Sequence, residues 1–172
     1  IPTTITTGQR HIVSKTTSAV RQIMIGLGFT EALNFVLTNE FDHYIKMRRK
    51  PSELVTLANP VSSDYSIIRN YLLSSLMKNL SVSKHHIFPQ RMFEVSDVIK
   101  LDKNSETNTQ QRINLAAVSS HPTANFTEIK SILESLLTNL GLNGWKIHED
   151  DDPSFLSGRA ATITLELYNS LL

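Results

Sequence analysis

The sequence predicts an α+β fold, an antiparallel or mixed sheet of five or six strands flanked by helices. Three observations carry that prediction. Leu72, Leu73, Leu76, Met77 and Leu80 form an apolar stripe wide enough to bury one face of a helix. Arg91 to Leu101 alternates as a strand does, with Phe93, Val95 and Asp97 on one side and Met92, Glu94, Ser96 and Val98 on the other. Ile113 to Ser120 is a mostly apolar run that returns as a second strand, which predicts burial on both of its faces. With 172 residues, 40% hydrophobic and 19% charged, a single domain with a sizeable core is expected over residues 1–172.

Each element has its own signal. Ile1 to Gly8 is Thr-rich and reads as an extended arm. Ser14 or Thr16 offers a helix cap, and Val20, Ile23, Met24 and Leu27 follow at helical spacing. Gly28 is placed to stop that helix in the left-handed conformation. Ala32, Asn34 and Val36 then alternate with Leu33, Phe35 and Leu37, the pattern of a strand. A short helix from Asn39 to Met47 precedes the basic run Lys46-Met47-Arg48-Arg49-Lys50, and Val55 and Leu57 mark a brief strand ending at Asn59-Pro60.

The central helix is expected to start at Ile68 or Asn70 and to end at Ser83. Its five apolar side chains, each worth roughly 1.5–3 kcal/mol when fully buried, make it a core helix. Pro89 excludes its continuation and leaves His85 to Gln90 as a loop. Asp102 to Gln110 is polar and reads as the loop of a hairpin, and His121-Pro122 ends the second strand. A helix from Asn125 carries Ile129, Ile132, Leu133, Leu136, Leu137 and Leu140 and stops at Gly141. Trp145 to His148 and Arg159 to Leu165 are the last strands, on either side of the acidic loop Glu149 to Pro153.

Composition narrows the chemistry. The absence of cysteine excludes disulfide frameworks and thiolate metal sites. No apolar run reaches the ~18–20 residues of a membrane span, and the opening residues lack the layout of a signal peptide. A net charge of +1 gives no strong global field for nucleic acid. The basic run is the one dense cationic stretch, and its ordinary reading is a solvated helix end. His85 and His86 are adjacent, so they diverge and make a poor chelating pair. Asp150-Asp151-Asp152 reads as a solvated acidic turn rather than a cation site, and Glu94 and Asp97 lie on opposite strand faces. Arg69, near the start of the central helix, is read first as a bridge between elements and second as a partner contact.

Four segments in order and spacing carry a family resemblance. They are Asn59-Pro60-x-Ser62-Ser63-Asp64, Ile68-Arg69-x-x-Leu72-Leu73, Phe93-Glu94-Val95-x-Asp97-Val98 and Pro153-Ser154-Phe155-Leu156-x-Gly158-Arg159-Ala160-Ala161. With these the chain resembles the β subunit of phenylalanyl-tRNA synthetase, of the archaeal and eukaryotic type, in the module that copies a class II synthetase catalytic core. The resemblance runs through nearly all of the chain and implies a fragment of a longer β subunit. It departs at Leu73-Ser74-Ser75-Leu76-Met77, where the family usually reads Leu-Pro-Gly-Leu-Leu, and at Ser96, where Gly is usual. Leu165 is followed directly by Glu166-Leu167-Tyr168, which implies a missing segment near 165–166.

The resemblance implies a module without catalysis of its own. Class II chemistry uses guanidinium groups on the phosphates of ATP, because the planar fork binds phosphate oxygens in pairs. Where catalytic relatives read Arg-x-Glu this chain reads Lys100-Leu101-Asp102, and Gly158-Arg159 is the nearest stand-in for the second arginine. Asn34-Phe35 occupies the region where the class II dimerisation motif has its proline. The family further implies a catalytic α subunit as partner, two such pairs in a heterotetramer, and a cytoplasmic location. ATP and magnesium would sit in the partner, with no cofactor in this domain. The expected interface residues are Val20, Ile23, Met24, Leu27 and Phe29, and the possible RNA contacts are Arg48, Arg49 and Lys50. Two other readings stay open: an active ATP-binding class II-like enzyme using Lys100 and Arg159, and an RNA-binding module using Lys46 to Lys50.

Overall fold

The computed structural model describes residues 7–52 and 54–165. Most of the expected N-terminal arm, and the far side of the junction at 165–166, lie outside these residues. The first helix, α1 (Ile12–Gly26), begins earlier than Ser14 because His11 caps it, its Nδ1 accepting the Val13 N–H at 3.3 Å. It ends at Gly28, whose φ of +84° only glycine adopts without strain. There the Gly28 N–H donates to the Ile25 carbonyl (2.9 Å) and the Phe29 N–H to the Met24 carbonyl (3.1 Å). This pair of bonds satisfies carbonyls that a helix end otherwise leaves open. Gly141, at φ +73°, stops α3 (Phe126–Asn139) in the same way, and Asn125 caps its start through the Glu128 N–H at 3.0 Å.

Among the described residues the strands form three small sheets instead of the one expected. In the first, β1 (Thr30–Glu31) runs parallel to β5 (Gln90–Leu101), which pairs antiparallel with β6 (Thr109–Ser120). In the second, β4 (Ile67–Ile68) lies between β2 (Leu37–Thr38) and β3 (Val55–Thr56). The third is the hairpin of β7 (Trp145–Asp150) and β8 (Ala160–Leu165). Ile68, one of the two expected starts of the central helix, thus forms with Ile67 the middle strand of a sheet. That helix, α2, is shorter at Leu73–Val82.

Strand β5 is the spine of the domain. Phe93, Glu94 and Val95 are buried in succession, which requires cover on both faces of the strand. On one face Phe93 and Val95 join Met24, Phe29 and Leu136 in the main core, so α1 and α3 cover that side. On the other lie Glu94 and the fully buried Val98, with Arg69. The sequence predicted double-sided burial for the β6 run instead. In the structure β6 is an edge strand with only Val118 fully buried, because β5 holds the central place between β1 and β6.

Candidate functional site

Residues 32–37, read from the sequence as a strand, are split. Strand β1 ends at Glu31, Ala32 keeps one ladder bond (its N–H to the Phe93 carbonyl, 2.7 Å), and pairing resumes at Leu37. The period-2 pattern is nonetheless real: Ala32, Asn34 and Val36 turn inward while Leu33 and Phe35 stand 87% and 77% exposed. What holds the segment flat is a side chain. The Glu94 carboxylate accepts the Asn34 backbone N–H through Oε1 (3.3 Å) and the Asn34 side-chain amide through Oε2 (2.8 Å). Arg69 stands on the far side of the same carboxylate, Nη2 at 2.8 Å from Oε1, and both side chains are 0% exposed. Its backbone N–H donates to the Val36 carbonyl (3.0 Å), its carbonyl accepts from Ile99 N–H (3.0 Å), and its Nε donates to the Asp97 carbonyl (3.2 Å). Arg69 therefore bridges β4, β5 and the 32–37 segment, the first of the two roles read for it.

This network is only partly satisfied. Neither Nη1 nor Nη2 of Arg69 makes a directed hydrogen bond to another described residue. The 2.8 Å approach of Nη2 to Glu94 is a charge contact without hydrogen-bond alignment.

A second buried polar cluster sits beside it. His43 lies in a single π-type turn, Phe41–Ile45, and is 0% exposed. Its Nδ1 is 2.7 Å from Ser74 Oγ and its Nε2 2.9 Å from Asn70 Oδ1. The Asn70 amide nitrogen donates to Tyr44 OH (2.7 Å), which donates to the Ser52 carbonyl (2.7 Å). That order turns Asn70 Oδ1 toward the ring. The Asn70 N–H also faces Nε2, at a longer 3.3 Å. Tyr71 lies against the same ring, with centroids 4.1 Å apart, and its hydroxyl donates to the His43 carbonyl.

Burial holds the His43 pKa down at about 4, with Arg49 and Arg69 acting in the same direction against the Asn70 hydrogen bond. The folded pKa lies below the ordinary 6.5, so the unfolded chain binds the proton first as pH falls. Stability is full above pH 6.5 and declines between 6.5 and about 4, by a total on the order of 3 kcal/mol. Asp42 adds a lower window. Its own burial favours the neutral form, but Lys46, Lys78 and Asn39 outweigh it and hold the carboxyl at about 2. Urea unfolding at pH 7.5 and 4.5 is expected to show a clear loss for the wild type. His43→Gln, which has no proton to take up, is expected to flatten that difference; an equal loss in both would remove His43 as its cause.

The residues singled out in the sequence fall in different places. Met24 and Phe29 are buried in the main core, and Val20, Ile23 and Leu27 pack against it. Met24 and Phe29 are thereby committed to this domain's own core, while Val20, Ile23 and Leu27 are only partly covered by it. The exposed apolar groups nearby are Ile12, Val13 and Ile25 on the outer face of α1, with Leu33 and Phe35. Phe35 is braced by the Tyr65 ring, centroids 6.0 Å apart and nearly perpendicular.

In the basic run Arg49 is committed internally. It pairs with Asp152, donates from Nε to Ser154 Oγ (3.0 Å) and lies over the Tyr71 ring at 4.6 Å. Asp152 is thus an anchor for the acidic loop and not wholly solvated. Its burial works against ionisation, but Ser154 and Arg49 hold its pKa below the ordinary value. Arg48, at φ +57°, and Lys50 remain exposed.

Lys100 and Arg159 do not meet. Lys100 pairs with Gln110 at the far end of the β5–β6 hairpin. Arg159 lies on an apolar cleft of about 1040 Å³ that borders the opposite end, Leu115 to Ser120. Among the described residues no three His, Asp or Glu side chains are grouped to hold a metal ion, and no helix is long and apolar enough to cross a membrane. Sequence reasoning missed the His43–Asn70–Ser74 cluster. Glu94 carried a signal of its own, a carboxylate inside an otherwise apolar strand run.

The geometry defines a mixed α+β domain organised about a buried ion pair on its central strand. The chain belongs to the phenylalanyl tRNA synthetase beta chain CLM domain family, whose model matches residues 1–168. It is 41% identical over 169 residues to the phenylalanine–tRNA ligase beta subunit of Archaeoglobus fulgidus, a match covering 96% of this chain and 29% of that protein. Against the beta subunit of Methanosphaera stadtmanae it is 40% identical over 151 residues, with 87% of this chain and 27% of that protein covered. The corresponding protein of Methanopyrus kandleri is 39% identical over 147 residues, with 85% and 25% covered. The chain thus spans less than a third of the length of these relatives.

Proposed function

We propose that this chain is the class II synthetase-like module of a phenylalanine–tRNA ligase β subunit, and that it supports the charging of tRNA with phenylalanine by assembly rather than by catalysis. The partner is the catalytic α subunit, two α and two β chains form the working enzyme, and ATP and magnesium act in α. The reaction belongs to protein biosynthesis in the cytoplasm.

One observation carries the assembly reading. Leu33 and Phe35 stand 87% and 77% exposed on a segment held by a buried network. Two large apolar groups fixed in water are what a protein interface covers, since preformed apolar anchors supply much of its binding energy. The non-catalytic reading draws support from the guanidinium groups on and beside β5. Arg69 is committed to Glu94 and Arg91 to Glu128 (2.9 Å), while Lys100 and Arg159 lie at opposite ends of the hairpin. Arg48 and Lys50 leave room for a contact to tRNA phosphate beside this role.

The test is co-purification of this chain with the cognate α subunit, joined to calorimetric ATP titration of each alone. A stoichiometric complex with ATP binding confined to α is the expected result. ATP binding by this chain, lost on Lys100→Ala or Arg159→Ala, would favour the enzyme reading instead.

A further inference from the structure

We infer that the buried Arg69–Glu94 pair is a positioning device, which acts through Asn34 to pre-order residues 32–36 so that Leu33 and Phe35 meet the partner subunit already in place. The inference rests on the assembly reading above and adds to it the residues that would set the interface's readiness.

The pair is a poor choice for stability alone. Two charges removed from water are seldom repaid by their mutual attraction, and well-packed apolar groups of similar size often do better. Here the balance is worse than usual, because among the described residues Arg69 Nη1 meets no acceptor and Nη2 makes only a charge contact. An apolar pair, however, could not do what Glu94 does. Its two carboxylate oxygens take both donors of Asn34, at 3.3 and 2.8 Å. Arg69 stands against the same carboxylate as its countercharge, and its backbone N–H ties down Val36 (3.0 Å).

These links fall where the regular ladder is missing. The last ladder bond before the gap is Ala32 N–H to Phe93, and the next pairing is at Leu37. Between them the segment is held by Glu94 and Arg69, with the edge-on contact of Phe35 and Tyr65 outside. Remove the Glu94–Asn34 link and four residues carrying the two exposed anchors lose their central attachment. A partner would then have to order them on binding, and that cost appears as weaker affinity.

Asn34→Ala tests this, because it leaves Arg69, Glu94, Leu33 and Phe35 in place. In the free chain, amide hydrogen exchange across 33–36 is expected to quicken by about 10-fold or more, with the thermal midpoint lowered by only a few degrees for the one lost hydrogen bond to Glu94. Affinity for the α subunit is expected to fall by about 10-fold. Asn34→Ser, which keeps a donor facing Glu94, should recover part of both effects. Phe35→Ala is the companion variant: it should weaken binding while leaving exchange at 33–34 as in the wild type. Unchanged exchange in Asn34→Ala overturns the inference whatever the partner does. Quickened exchange with full affinity, while Phe35→Ala binds poorly, also overturns it and leaves the assembly reading standing. If Phe35→Ala binds as wild type, the docking site itself is wrong and the inference falls with it.

Discussion

Arg69→Ala is expected to lower folding stability by about 3–5 kcal/mol. The loss has one main source. Glu94 is 0% exposed, and without Arg69 its carboxylate keeps only the Asn34 amide groups as donors among the described residues. Single domains hold only about 5–15 kcal/mol in reserve, so the variant stands near the edge of folding. The pair Arg69→Met with Glu94→Leu should recover most of the loss, because it removes both charges and fills the same space with apolar groups. Urea unfolding of the two variants beside the wild type measures this. A single variant within about 1 kcal/mol of wild type would mean that water reaches the pair in solution.

Phe35→Asp is expected to abolish a stable complex with the α subunit, raising Kd at least about 30-fold, which is ~2 kcal/mol. The ring is 77% exposed, so its replacement should leave the unfolding midpoint of the free chain near wild type. A charge placed at the centre of an apolar contact meets desolvation without a counterion, and that excludes repair by small adjustments. Sedimentation or calorimetry with purified α subunit reads the effect. Equal affinity for the wild type and Phe35→Asp would place the interface elsewhere, with Ile12, Val13 and Ile25 on the outer face of α1 as the next surface to vary.

What the sequence displayed most clearly was local. The stripes of α1 and α3 and their glycine stops at Gly28 and Gly141 depend on a turn or two of chain, and the structure has both. The β5–β6 hairpin followed from alternation and a polar loop, and it too is present. Pairing between distant segments left no such mark. Ile67 and Ile68 sit in a sheet because Leu37–Thr38 and Val55–Thr56 come alongside, and no periodicity announces partners far along the chain. The same limit applies to helical stripes. Val20, Ile23, Met24 and Leu27 form a true helical stripe, but a stripe does not say whether it faces its own core or another chain; here it faces the core. Asn34 and Glu94 illustrate the opposite case. A carboxylate among Phe93, Val95 and Val98 is costly without partners, so its presence alone implied donors nearby, even though only the fold identifies them as Asn34 and Arg69.

The proposed docking surface is the segment held by Glu94. Hydrogen exchange of the chain with and without the cognate α subunit decides the matter, since residues 33–37 and Tyr65 are exposed or at the surface in the free domain. Strong new protection at 33–37 and 63–66 in the complex is the expected result. Protection confined to other surfaces, or none in a mixture that sediments as separate chains, would contradict it.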